Sequence, residues 1–192
     1  MDKGRVEAFS DGVIAIIITI MVLELKAPMG EHLHDLRPVL PAFASYVLSF
    51  VYVGIYWNNH HHMMHAVRRV DGRVLWSNLY LLFWLSTVPF VTLWTGENPS
   101  AKAPAALYGF VLLMNAIAWV LLQRALLRVE GPDSDLARAV KSGLKEKISP
   151  LIYVAGIASA FLFTPLAYAC YVLVACMWFV PDRRVERQLG MR

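Results

Sequence analysis

Residues 5–25 read RVEAFSDGVIAIIITIMVLEL, and this stretch decides the fold. From Val13 to Leu23 every side chain is apolar except for the hydroxyl-bearing Thr19. A helix needs about 20 mostly apolar residues to cross the roughly 30 Å of hydrocarbon in a bilayer. The stretch therefore predicts a membrane-spanning helix over residues 8–25.

The composition of the whole chain agrees with a membrane protein. Of its 192 residues, 58% are apolar and 17% are charged, and the mean hydropathy is +0.51. Soluble domains are usually about 45–50% apolar and about 25% charged, and disordered chains are more polar still, so both classes are excluded. Two cysteines are too few for a disulfide framework or a metal–sulfur scaffold.

Five further apolar stretches follow the first, and together they predict an all-α membrane protein with six transmembrane helices in a single domain, residues 1–192. The fifth and sixth stretches form one apolar run that is too long for a single span, and Pro165 interrupts it. We therefore expect a tight hairpin of two short helices there. The further predicted spans are residues 39–64, 74–95, 104–127, 148–164 and 166–181.

The distribution of basic residues predicts the orientation of these spans. Fifteen of the 18 Lys and Arg residues fall in the segments that are cytoplasmic if the N-terminus is inside, and only Lys26, Arg37 and Lys102 fall outside. The positive-inside rule then places both termini in the cytoplasm, in the inner membrane of the cell. The net charge of +4 is thus an orientation signal, and it predicts no nucleic-acid partner. The polar 4–5 connection predicts a short cytoplasmic helix over Asp135–Lys147, capped by Ser134 or Asp133.

The first span carries two features that bear on function. Arg5, Ser10 and Asp11 lie at its inner end, where charged groups are costly and usually have a protein or water partner. Such a group is typical of a polar knot between helices, and it is also compatible with an ion path. Further along, Ile16, Ile20 and Leu23 share one helix face, with Thr19 beside them; this spacing alone is typical of ordinary packing.

The first motif resembles a known family. The pattern Arg5-x-x-x-Phe9-Ser10-Asp11-Gly12 before an Ile-rich helix is similar to the signature of the transmembrane protein 175 family, endolysosomal potassium channels of animals and their prokaryotic relatives. The resemblance continues through the second and third spans, in Trp57-x-x-His60, Trp76-x-Asn78 and Pro89-Phe90. Members in animals carry two six-helix repeats, whereas this chain has one.

The resemblance implies a homotetramer around one pore that is lined by four copies of the first helix. It implies a constriction at Ile16, with Ile20 and Leu23 further along the same face and a hydroxyl at Thr19. It also implies an inter-helix polar network of Arg5, Ser10, Asp11 and His60, in which Trp57 and Asn78 are further expected members.

The expected activity is a cation conductance with a moderate preference for K⁺ over Na⁺. The chain contains no Thr-Val-Gly-Tyr-Gly segment, so a carbonyl filter of the familiar kind is excluded, and an apolar ring can instead discriminate by dewetting. Glu24 lies just outside this ring and would mildly concentrate cations. The alternatives are a proton-permeable leak or a secondary cation transporter, with Asp11 and His60 as a proton relay, and a non-conducting assembly protein.

The run His60-His61-His62 with His65 raises the question of a metal site. His61 and His65 are four residues apart, which can place two imidazoles on one metal, but the nearest acid in the sequence is Asp71. We therefore predict no metal site and no cofactor. His60 could make gating pH-sensitive, because a histidine titrates near neutral pH. Phosphate loops, nucleophile elbows and paired acids within a span are absent, so we predict that the protein is not an enzyme.

Overall fold

A computed structural model describes residues 3–140 and 144–179 of the chain. Within these ranges all regular structure is helical, which confirms the all-α prediction. A short 3-10 helix covers Leu33–Val39, and the α-helices in chain order are α1 (Lys3–Leu23), α2 (Leu40–His65), α3 (Gly72–Ser86), α4 (Val88–Glu97), α5 (Lys102–Glu130), α6 (Asp135–Val140), α7 (Leu144–Ala160) and α8 (Thr164–Phe179). Residues 180–192, which include the end of the sixth predicted span and four arginines, lie outside the described residues.

Four helical segments are long and apolar enough to cross a membrane: Lys3–Leu23, Leu33–His65, Gly72–Glu97 and Lys102–Glu130. The protein is therefore a membrane protein with several apolar helices. Helices α7 and α8 have 17 and 16 described residues, and each adjoins residues that lie outside the described ranges. They lie against each other across a connection of three residues. Six spans per subunit stays a prediction.

The third apolar segment is two helices rather than one. Helix α3 ends at Ser86 and α4 begins at Val88, with Thr87 between them. Pro89 has no backbone N–H to donate to the carbonyl of Leu85, and its ring crowds that carbonyl, so the helix breaks just before the proline. The Thr87 hydroxyl donates to the Trp84 carbonyl oxygen at 2.7 Å and satisfies one of the backbone groups at the break.

The predicted helix over Asp135–Lys147 is helical wherever the structure describes it. Helix α6 covers Asp135–Val140 and α7 begins at Leu144, while residues 141–143 lie outside the described residues, so a single helix there stays a prediction. Of the two candidate caps, Ser134 is the one that acts, because its hydroxyl oxygen accepts the backbone N–H of Ala137 at 3.1 Å.

The core of the subunit lies around α5, which packs against α3, α4, α7 and α8. Tyr171 of α8 crosses this core, and its hydroxyl donates to the Ala105 carbonyl oxygen at 3.1 Å. Gly109 leaves room for that ring, since a Cβ there would overlap the Tyr171 hydroxyl. The Tyr52 hydroxyl of α2 in turn donates to the Tyr171 carbonyl oxygen at 2.5 Å, so Tyr171 joins three helices through its side chain and its backbone.

Candidate pore helix and its polar support

Helix α1 has one buried face and one uncovered face. Ser10, Ile14, Ile17 and Met21 are between 0% and 3% exposed, and they point into the subunit towards α2, α3 and α4. At 100° per residue, the opposite side of the helix holds the stripe named above. In the single subunit Ile16 is 58% exposed, Ile20 41% and Leu23 80%, with Thr19 also exposed.

Thr19 is tied to its own helix. Its hydroxyl donates to the Ile16 carbonyl oxygen at 2.9 Å. A hydroxyl that donates its proton to the backbone keeps its oxygen lone pairs available as acceptors. Thr19 can therefore present oxygen on the same face as the apolar stripe without leaving a donor unsatisfied.

A buried hydrogen-bonded chain joins α1, α2 and α3. The Ser10 hydroxyl donates to the Val6 carbonyl oxygen at 2.8 Å, and the Asn78 Nδ2 group donates to the Ser10 Oγ at 2.9 Å. Asn78 Oδ1 lies 2.8 Å from His60 Nε2. Because an amide oxygen only accepts, His60 must carry its proton on Nε2 and is the donor of this bond. The structure thus brings together three of the six expected network residues.

Two more of the six form a separate contact nearby. Trp57 Nε1 of α2 donates to Asp11 Oδ1 of α1 at 3.0 Å, in a more exposed position. Arg5 is exposed on α1 and takes no part in either of these hydrogen-bonded groups. By its spacing Arg5 lies on the same helix face as Ile16, three turns nearer the N-terminus.

Glu7 is a residue that the sequence reasoning missed. Glu7 Oε1 lies 3.3 Å from His61 Nδ1 and 3.7 Å from His65 Nε2. Although the nearest acid in the sequence is Asp71, the carboxylate that accompanies these histidines is therefore Glu7, from another helix. One signal in the sequence could have found Glu7. It lies four residues before Asp11, so both acids lie on one side of α1.

The C-terminal end of α1 is exposed. Glu24, just beyond the helix, is exposed, and the neighbouring Lys26 pairs with Glu97 at 3.2 Å. Both partners are largely solvated, so this pair contributes little to stability. Glu24 is the carboxylate that follows the apolar stripe directly in the sequence.

Comparison with known proteins identifies the family. Residues 5–89, which hold the motif that begins at Arg5 as well as Trp57-x-x-His60 and Trp76-x-Asn78, match the family described as "Endosomal/lysosomal potassium channel TMEM175". A potassium channel of Chryseobacterium sp. (strain P1-3) is 53% identical over 189 residues, 98% of each chain. The chain belongs to the TMEM175 family. This confirms the resemblance noted in the sequence, and the family is one of ion channels rather than of enzymes.

Other TMEM175 proteins define the range of the family. The crystal structure of a lysosomal potassium-selective channel TMEM175 homolog from Chamaesiphon minutus matches with a TM-score of 0.78 and 28% identity, over 95% of this chain and 97% of that one. The rat endosomal/lysosomal proton channel TMEM175 is 26% identical over 196 residues, which cover 91% of this chain and 36% of that protein. The family name thus includes proteins described by potassium and by proton conduction.

Proposed function

We propose that this TMEM175 protein is a subunit of a homotetrameric, K⁺-preferring cation channel, whose pore is lined by α1 and narrowed at Ile16. The observation that carries the proposal is the uncovered stripe on α1, in a chain 53% identical to a potassium channel. One helix cannot enclose a water-filled path, whereas closed rotational assemblies are common among homo-oligomers. Four copies of α1 around an axis would cover the stripe and build the path together.

Selectivity follows from the chemistry of that face. Rings formed by Ile16, Ile20 and Leu23 would offer no oxygen ligands, so an ion must pass them with its water largely retained or rearranged. K⁺ holds its water less tightly than Na⁺ and should pass more readily. Thr19, with its free acceptor lone pairs, would add a ring of oxygen between the Ile16 and Ile20 levels. We expect a preference for K⁺ that is real but moderate.

The proposed channel lies in the inner membrane of the cell, with both termini on the cytoplasmic side. Arg5 would then line the inner entrance, and Glu24 would lie at the outer mouth. A ring of four carboxylates at the mouth raises the local cation concentration, and salt screens the effect. Glu24→Gln should lower the conductance at low ionic strength and leave it nearly unchanged at high ionic strength.

The experiment that tests the proposal is a reversal-potential measurement under a K⁺/Na⁺ gradient, with the purified protein in a planar bilayer. Ile16→Asn should raise the conductance and reduce the K⁺ preference. Val22→Asn is the matched control, because Val22 is also exposed on α1 but lies about 120° round the helix from Ile16. Equal effects of the two substitutions would refute the assigned pore face. Absence of current, or equal K⁺ and Na⁺ permeability, would refute the selective channel.

A second candidate function is proton permeation, and the specific observation in its favour is that rat and mouse relatives are named proton channels. Two side chains that can carry a proton lie beside α1: Asp11, which is bonded to Trp57, and His60, which is bonded to Asn78. Proton flux into liposomes with a pH-sensitive dye, compared between the unmodified chain and Asp11→Asn, measures it. Flux that saturates and couples to a cation gradient would favour a secondary transporter instead.

A further inference from the structure

Glu7, His61 and His65 form a compact cluster between α1 and α2, outside the proposed pore stripe. Each offers one ligand atom, and the three ligand atoms lie within 4.8 Å of one another. The carboxylate oxygen is 3.3 Å from one imidazole nitrogen and 3.7 Å from the other, and the two rings meet edge to face at 4.4 Å. The spacing of four residues on α2 puts both imidazoles on the same side of that helix.

The two separations between the carboxylate oxygen and the imidazole nitrogens are close to those around one bound metal ion, and the two imidazole nitrogens lie within 4.8 Å of each other. Ligand atoms at about 2.1 Å from a tetrahedral zinc lie about 3.4 Å from one another, which is close to both measured nitrogen–oxygen distances. Two histidines and one glutamate are a ligand set that zinc accepts with a fourth position left for water. Imidazole ligands favour Zn²⁺ and its late first-row neighbours, whereas Mg²⁺ and Ca²⁺ prefer all-oxygen sites.

The surroundings hold the ligands and leave access from solvent. The Trp57 ring stacks on the His61 ring at 5.9 Å and is itself fixed by its hydrogen bond to Asp11. Lys3 donates to the His65 carbonyl oxygen at 3.5 Å. The side chain of Glu7 is only 18% exposed, while those of His61 and His65 are 38% and 56% exposed. An ion can therefore approach the carboxylate from the solvent on the side where the two imidazoles are exposed.

We propose that Glu7, His61 and His65 bind one divalent transition-metal ion of the Zn²⁺ class per subunit, and that this ion joins α1 to α2 at the end of the subunit where α1 begins. Metal that binds only the folded chain stabilises it by an amount that rises with the logarithm of the metal concentration once that concentration exceeds the dissociation constant. The proposal does not depend on ion conduction, because binding and stability are measured without any current.

The test uses the full-length chain, purified in detergent without a histidine tag and stripped with a chelator. Zn²⁺ is titrated by calorimetry, and thermal unfolding is followed with Zn²⁺, Mg²⁺ or Ca²⁺. We expect one Zn²⁺ per subunit and an unfolding temperature that rises with Zn²⁺ but not with Mg²⁺ or Ca²⁺. Failure to bind Zn²⁺ at micromolar concentrations would overturn the proposal and leave the cluster as an ion pair between Glu7 and protonated imidazoles.

Variants locate the site. Glu7→Gln and His65→Asn should each weaken Zn²⁺ binding more than about tenfold, since even groups that only support a ligand are worth that much. His34→Gln is the matched control, because His34 is an exposed histidine paired with Asp35 in the segment before α2. Binding that survives both cluster variants, or that is lost in the control, would place the metal elsewhere and refute the assignment. Unfolding without metal shows whether each variant is folded.

Discussion

Replacing Asn78 by leucine tests the buried chain that holds α1 against α2 and α3. Asn78 is 2% exposed and His60 0%, so neither side chain can exchange its partner for bulk water. Leucine has the same branching and the same number of side-chain heavy atoms, although its methyl groups are bulkier, and it leaves the His60 Nε2–H without an acceptor, which costs about 1–3 kcal/mol. Loss of the Asn78–Ser10 bond adds about 0.6–2 kcal/mol, while Ser10 still donates to the Val6 carbonyl oxygen. We expect a total of about 1.6–5 kcal/mol.

The assay is equilibrium unfolding in mixed dodecylmaltoside–SDS micelles, followed by tryptophan fluorescence. The double variant His60→Leu/Asn78→Leu should cost at least about 1 kcal/mol less than the sum of the single variants, because it removes the orphaned donor as well as its acceptor. Ser86→Ala is the control: that hydroxyl bonds only to its own helix, at the Phe83 carbonyl oxygen, and is exposed. Additive costs within about 0.5 kcal/mol, or a nearly neutral Asn78→Leu, would refute the assignment of this chain as the anchor of α1.

Two further substitutions test packing and surface charge. Gly96→Ala should destabilise the protein by about 1–3 kcal/mol, because a Cβ there would lie 2.7 Å from the Ala42 Cα, a backbone atom of α2. Gly54→Ala is the control, because a Cβ at residue 54 meets open space. Equal unfolding midpoints for the two variants would contradict this packing. Glu97→Gln removes the exposed ion pair with Lys26 and should change stability by less than about 1 kcal/mol, with the difference vanishing in high salt; a larger loss would mean that this pair is not solvated as the structure shows.

The all-α fold was predictable because hydrophobic length is a local property. The run from Val13 to Leu23 and the three other long apolar segments are visible in any window of about 20 residues. The break at Thr87 was also signalled locally, by Pro89, but the apolar residues on both sides of it favoured one uninterrupted span. The hairpin of α7 and α8 was signalled by Pro165 inside an apolar run too long for one span, since a proline is tolerated in the first turn of a helix but not in its interior.

The candidate site was predictable only in part, because its contacts join distant positions. Ser10, Asn78 and His60 were named from the family motifs, and their hydrogen bonds cross three helices. The sequence did not pair Glu7 with His61, because no local pattern shows which residues of α1 and α2 lie next to each other. Arg5 shows the opposite error of reasoning from the motif: it shares the motif with Ser10 and Asp11 but lies on the uncovered face.

The polar groups on both faces of α1 indicate which kind of surroundings the exposed face requires. Polar anchors hold its other sides: Ser10 in the buried chain, Asp11 on Trp57 and Glu7 on the histidines. Lipid alone would be a poor partner for the uncovered face, because that face also carries Arg5 at one end and the Thr19 hydroxyl within the Ile16 to Leu23 stripe. A charged side chain directed at acyl chains is costly, whereas one at the entrance of a water-filled path is solvated. The same face thus combines an apolar stripe with polar groups at its N-terminal end and within it, and this combination supports the proposed assembly of several subunits around a shared axis.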